Sequence, residues 1–464
     1  MIYITIKLGV LSMKKLIIFI CSLTIILTST LLPVCASNYV DSVDADMNKL
    51  NCKVDLLISL DDGSVVVERN ADTPVAPASL TKIMTALVVL KNRDTNQMMT
   101  VQREAIEVLA GTGSSTSGLK SGEQMNIYNM LCCLLIPSGN DAATALAIEV
   151  GGSIDGFVKM MNDLAAELGC KNTHFDNPHG LDSATHKTTA HDLAIITKEA
   201  LKFPVFETIV ATNVYNLPET NMNKARQLVN TNFLISPYRV TYYNKDVKGI
   251  KTGSTEDAGR CLIAYASKNG YNYLSVAMGG DYRDSDNDGI EENQAFMDTN
   301  KMFNWAFKNL KYEIVTREGQ FVCSVPLNYC WDLETIKLVA LDEVMALVPQ
   351  GNDSQSVSFQ PYEVEETIDA PVKKGDKLGK AKVIFAGQQI GTVDLVASED
   401  ARMSVFLYIK SIPLVKYIFI AVVVIIVAYL IVFIISNQRR KKQRAIKMVK
   451  YNELHKNSDS NKRK

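Results

Sequence analysis

Eighteen consecutive residues near the end of this 464-residue chain, Ile418–Ile435, carry no charge, and Arg439-Arg440-Lys441-Lys442 follows almost at once. As a helix such a run is about 27 Å long, enough to cross a hydrocarbon layer with little tilt. Positive charge stays on the cytoplasmic side, so the residues before the run are expected outside the cell. The expected transmembrane helix covers 416–436. Residues 437–464 form a basic cytoplasmic tail, in which eleven Lys/Arg face two acids.

The other end agrees with this topology. Lys14 and Lys15 precede an uncharged stretch from Leu16 to Leu32, and Val34-Cys35-Ala36 offers the small residues that a signal peptidase reads. Residues 1–36 are expected to be a signal peptide, with an uncleaved anchor helix as the alternative. Both ends are basic while the whole chain is −1, so the exported body is acidic. That argues against nucleic acid as the main partner. Of nine cysteines, Cys21 and Cys35 fall in the presumed signal. The remaining seven are odd in number and irregularly spaced, which is no disulfide framework, and no C-x-x-C offers a cysteine zinc site.

Between the two ends the pattern changes once. Val54–Leu60 and Val65–Glu68 read as strands around the turn Asp61-Asp62-Gly63. A helix is expected from Ser79 to Leu90, and further helices over 123–168, broken at Pro137-Ser138-Gly139. A loop-rich stretch, 170–190, precedes a helix over 191–202. Strands follow at Ile250–Thr252, Cys261–Tyr265 and Tyr273–Met278, then a helix from Glu292 to Leu310. Residues 313–402 turn to short alternating segments, as in Ile336–Val339 and Thr392–Leu395. The fold class is therefore α+β, an antiparallel sheet with helices over 45–311, followed by a small all-β domain over 313–402.

Three short motifs carry the chemistry: Ser79-Leu80-Thr81-Lys82, Ser138-Gly139-Asn140 and Lys251-Thr252-Gly253. The first two patterns recur elsewhere. Ser12-x-x-Lys15 lies in the signal, and Ser117-x-x-Lys120 lies in a Gly/Ser-rich loop. Ser267-Lys268-Asn269 and Ser285-Asp286-Asn287 come after Lys251, in the wrong order. Three residues apart on a helix, Ser79 and Lys82 share a face. A serine hydroxyl needs an adjacent base, and a lysine serves once desolvation or a neighbouring cation lowers its pKa. In this scheme Ser79 is the nucleophile, Lys82 the base, Ser138 a proton relay, and Asn140 positions substrate and lysine. Lys251 and Thr252 hold a terminal carboxylate, and Gly253 lets a peptide lie along the strand, with Thr255 beside it. The N–H groups of Ser79 and Ser254 form an oxyanion hole.

The flanking residues resemble the low-molecular-mass D-alanyl-D-alanine carboxypeptidases, serine peptidases that trim peptidoglycan stem peptides. The resemblance rests on Pro77–Ala86, Pro137–Ala142, Gly249–Thr255, Asn177–Leu181 and Ala370–Asp376, and covers roughly residues 45–400. It implies a β-lactamase/transpeptidase-like catalytic domain and removal of a terminal D-alanine through an acyl-enzyme. It also implies β-lactam binding and no metal or other cofactor. One departure is Asn230-Thr231-Asn232, a segment where many relatives carry an arginine. The same motifs leave open a β-lactamase, although no Glu-x-x-x-Asn segment stands in 170–190, and a catalytically silent wall-binding protein. No outer-membrane feature is evident, which points to a Gram-positive cell.

Two further features are expected to be structural. His174, His179, His186 and His191 have no helical zinc spacing. Asp284-x-Asp286-x-Asp288-Gly289 opens like a calcium loop, but its twelfth position is Ala295, so a solvated acidic turn is expected.

Overall fold

The computed structural model describes residues 49–284, 289–350, 357–385 and 388–460. The expected signal peptide and the centre of the Asp284–Gly289 turn lie outside them. The chain divides into two compact units.

The first unit is built on a five-stranded antiparallel sheet. Its strands are β1 (Val54–Ser59), β2 (Val65–Arg69), β3 (Val247–Thr255), β4 (Gly259–Lys268) and β5 (Tyr271–Gly280), in the order β2-β1-β5-β4-β3. All six residues of β1 are buried, because the sheet is covered on both faces. Leu56 and Ile58 face one core with Ile263, Leu274 and Val276. Leu57 faces the other with Leu262, Ala264 and Tyr273. The first core is filled by α1 (Thr81–Asn92), α2 (Ile127–Leu135), α3 (Asn140–Gly151), α4 (Ile154–Glu167), α5 (Ala190–Leu201) and α6 (Pro204–Val210). The second packs under α7 (Gln294–Asn309) through Phe296, Met302 and Phe303.

Helix α1 is central to the first core. Every residue from Thr81 to Val89 is buried, as an apolar helix inside a core must be. It stops where Arg93 turns extended and Asp94 Oδ1 accepts the Asn96 N–H at 2.8 Å. Its start differs from the expectation. Ser79 is not in the α-helix; it sits in a 3₁₀ turn, Ala78–Leu80, that leads into α1. Ala78 has φ +48°, which a continuing right-handed helix does not allow.

The second unit holds a six-stranded sheet of β6 (Phe321–Asn328), β7 (Thr335–Ala340), β8 (Val357–Tyr362), β9 (Ile368–Asp369), β10 (Lys377–Phe385) and β11 (Gln388–Ala397), in the order β8-β10-β11-β7-β6-β9. Alternation puts Ile336, Leu338 and Ala340 of β7 inside while Thr335 and Lys337 stay exposed. The division between units is not a single cut near 312. Segments 345–357 and 385–390 belong with the first unit. After Ser404 come α8 (Val405–Ser411) and α9 (Pro413–Ser460). The most apolar stretch of α9 has mean hydropathy 3.6 and is not buried anywhere. The helix does not end with the apolar run but carries on through the basic tail.

Candidate active site

The three motifs come together in the first unit around the Ala78–Leu80 turn. Lys82 Nζ lies 2.7 Å from Ser79 Oγ. The spacing of three that predicted this on an α-helix also brings the two together where Ser79 lies in the 3₁₀ turn and Lys82 in the first turn of α1. The lysine is fully buried, with its second hydrogen bond to the His179 carbonyl at 2.8 Å. Burial lowers its pKa well below the ordinary value; the Lys251 cation adds to this and Asp141 opposes it. A lowered pKa on an amine beside a serine hydroxyl is the condition a general base needs.

The third motif lies on β3, an edge strand of the sheet. A Cβ added at Gly253 would sit 3.2 Å from the Ser79 nitrogen and 3.1 Å from the Ala78 Cβ. A side chain at Gly253 would therefore crowd the Ala78–Leu80 turn, whose atoms would have to give by a few tenths of an ångström. Lys251 is also buried, and burial brings its pKa down to about 7. Its amine donates to the Thr252 carbonyl at 3.0 Å.

The second motif is the α2–α3 turn. Ser138 has φ +66°, a conformation unusual for a residue with a side chain and of the kind concentrated at functional sites. Ser138 and Asn140 are buried. Thr231 ties this turn to β3: its N–H donates to the Ile136 carbonyl at 3.2 Å, and its hydroxyl is 2.6 Å from that of Thr252. No hydrogen bond joins the Asn140 amide to Lys82 among the described residues, where the sequence suggested one; the His179 carbonyl occupies that role.

Several supporting contacts were not foreseen. The segment Asn177–Leu181 is pressed onto the Ala78–Leu80 turn, and a Cβ at Gly180 would fall 1.8 Å from the Ala78 oxygen. Thr85 of α1 holds the Pro178 carbonyl at 2.6 Å. Ser117, set aside as a nucleophile, donates to the Cys133 carbonyl at 2.8 Å beneath Gly139. Asp141 accepts the N–H groups of Ser117 and Leu119 at 2.8 and 3.0 Å. Thr255, expected at the substrate, donates its hydroxyl to Asp182 at 2.7 Å and so pins the β3–β4 hairpin to the loop.

The histidines do not converge on one point. His186 Nε2 lies 2.8 Å from the Thr81 hydroxyl, and its Nδ1 accepts the Asp176 N–H at 2.9 Å. Burial lowers its pKa to about 4, and that of His179 to about 3, so both are neutral props of the loop. Two groups of possible metal ligands occur among the described residues. Cys52, Asp55 and Asp298 are buried, and Glu68, Asp72 and His191 are largely exposed. Neither includes a residue of the three motifs. Asp298 already accepts the Asn51 and Cys52 N–H groups, and Asp55 pairs with Arg69.

Residues 41–282, just over half of the chain, match the D-alanyl-D-alanine carboxypeptidase family of peptidases, S11. The chain belongs to the D-alanyl-D-alanine carboxypeptidase family. Residues 318–402 match the C-terminal domain of penicillin-binding protein 5. Among carboxypeptidases of this family, DacF of Bacillus subtilis (strain 168) is 33% identical over 353 residues, covering 76% of this chain and 86% of its own length. DacC of Escherichia coli (strain K12) is 32% identical over 359 residues, 75% and 83%. The crystal structure of penicillin binding protein 5 from Haemophilus influenzae aligns with a TM-score of 0.57 at 26% identity, covering 76% of this chain and 98% of that one. The Streptomyces K15 DD-transpeptidase aligns at 0.51 and 28%, covering 56% and 98%. The fold is that of this carboxypeptidase and transpeptidase group, with an all-β domain and a terminal apolar helix. The activity is that of a serine-type D-alanyl-D-alanine carboxypeptidase.

Proposed function

We propose that the enzyme removes the terminal D-alanine from peptidoglycan stem pentapeptides through an acyl-enzyme on Ser79, outside the cell and anchored by α9. Neutral Lys82 takes the Ser79 proton as Oγ bonds to the penultimate D-alanine carbonyl. The oxyanion is held by the N–H groups of Ser79 and Ser254. The C–N bond breaks, and the leaving amine takes a proton relayed by Ser138. Water, deprotonated by Lys82, then hydrolyses the ester and frees the serine. Asn140 orients the substrate amide, and Lys251 and Thr252 hold the terminal carboxylate. A β-lactam enters the same sequence as an acylating agent, and its ester blocks the serine.

The 2.7 Å contact between Ser79 Oγ and a fully buried Lys82 amine carries this assignment. The anchor is supported by α9: an apolar stretch with no side chain buried, followed by a basic tail. That combination favours a single crossing with the tail in the cytoplasm. D-Alanine release from a pentapeptide is the test. Wild type releases it and Ser79→Ala does not; release by Ser79→Ala at the wild-type rate would rule the assignment out.

A further inference from the structure

The Lys251 amine of the carboxylate subsite proposed above already has a backbone partner. That amine is 1% exposed, is turned onto the Thr252 carbonyl, and is brought by burial to about 7. Thr231, beside Thr252, brings only a hydroxyl. A carboxylate taken out of water needs a charged partner, or its burial costs more than it gains.

A guanidinium stands at the same strand. In the β3–β4 register Ser254 lies opposite Arg260, and Arg260 Nη1 donates to Ser254 Oγ. Side chains two apart on a strand share a face, so the hydroxyls of Thr252 and Ser254 project to the same side, about 7 Å apart. Arg260 is half-buried and fixed from behind, its guanidinium 4.5 Å from the centre of the Tyr282 ring. Two acids line the same depression: Asp281, paired with Arg283 at 2.9 Å, and Glu256, which is exposed. Arg260, Ser254, Asp281 and Tyr282 rim an open depression of about 530 Å³ at the end of β3. A guanidinium keeps its charge through burial that would neutralise an ammonium, and its fork matches a carboxylate.

We propose that Arg260 selects substrates with a free C-terminal carboxylate, its guanidinium closing on that group together with the Thr252 and Ser254 hydroxyls. Arg260 is thus the residue that makes the enzyme an exopeptidase. The proposal rests on β3 being the substrate strand and Ser79 the nucleophile.

The test compares kcat/KM on an acyl-D-Ala-D-Ala peptide and on the same peptide ending in a carboxamide, using the full-length protein. Wild type is expected to prefer the acid by on the order of 10- to 100-fold, the worth of a hydrogen bond to a charged group. Arg260→Gln lowers kcat/KM on the acid by that factor, mainly through KM, and leaves the amide unchanged. Arg260→Lys, with charge but no fork, keeps part of the preference. A preference that survives Arg260→Gln, or an equal loss on both substrates, overturns the proposal. Failure of the underlying assignment shows separately, as turnover of either substrate by Ser79→Ala.

Discussion

At the residue scale the proposed chemistry depends on two lysines that burial keeps from behaving as ordinary surface cations. Lys82 is lowered first by desolvation and then by Lys251, against the pull of Asp141. The sign of a pH experiment follows. Lys251→Met removes a cation that disfavours the protonated form of Lys82, so the Lys82 pKa rises. The amine then stays protonated to higher pH, and the acid limb of penicillin acylation against pH moves in the alkaline direction. An unmoved limb, or one displaced to lower pH, would refute the coupling. The Ser79–Lys82 pair was legible in the sequence because spacing alone sets it. Thr231, Ser117 and Gly180 were not, because their roles depend on contacts between residues far apart in the chain. The isolated carbonyl of His179 leaves no mark in a sequence at all, and there the expectation chose Asn140.

Elements position these residues, and the loops between them are fastened as firmly as the helices. The segment 115–119 passes under the Ser138 turn and is held by Asp141 at the first turn of α3, through the N–H groups of Ser117 and Leu119. Removing that carboxylate orphans two buried donors. Asp141→Ala is expected to lower unfolding stability by about 1–3 kcal/mol, measured by urea titration, with acylation slowed as the turn loosens. A stability loss below a few tenths of a kcal/mol would show that the loop is held otherwise. Strand and helix identities were readable wherever burial matched a period. The apolar β1, the alternating β7 and the helical spacing in α2 and α3 fall where expected. The boundary at Ser79 was not readable. A turn with positive φ at an alanine is enforced by packing from β3 and the Asn177–Leu181 segment, which local propensity does not report.

For the whole molecule, charge and hydropathy at the ends decide where the enzyme works. The apolar stretch of α9 is exposed throughout, as the proposed membrane anchor requires. A chain ended after Met403 is expected to leave the membrane fraction and still release D-alanine, since every site residue lies in the first unit. Retention of that shortened chain in the membrane fraction would place the anchor elsewhere. The change of pattern at 313 was visible in the sequence, but the grouping of 345–350 with the first unit was not, because contacts between segments far apart in the chain have no local signature. Whether Ser79 is the acylated residue is decided by mass spectrometry of the penicillin-treated protein. One penicilloyl group per chain on the peptide containing Ser79, absent from Ser79→Ala, is the predicted result; a stable adduct on any other peptide would contradict it.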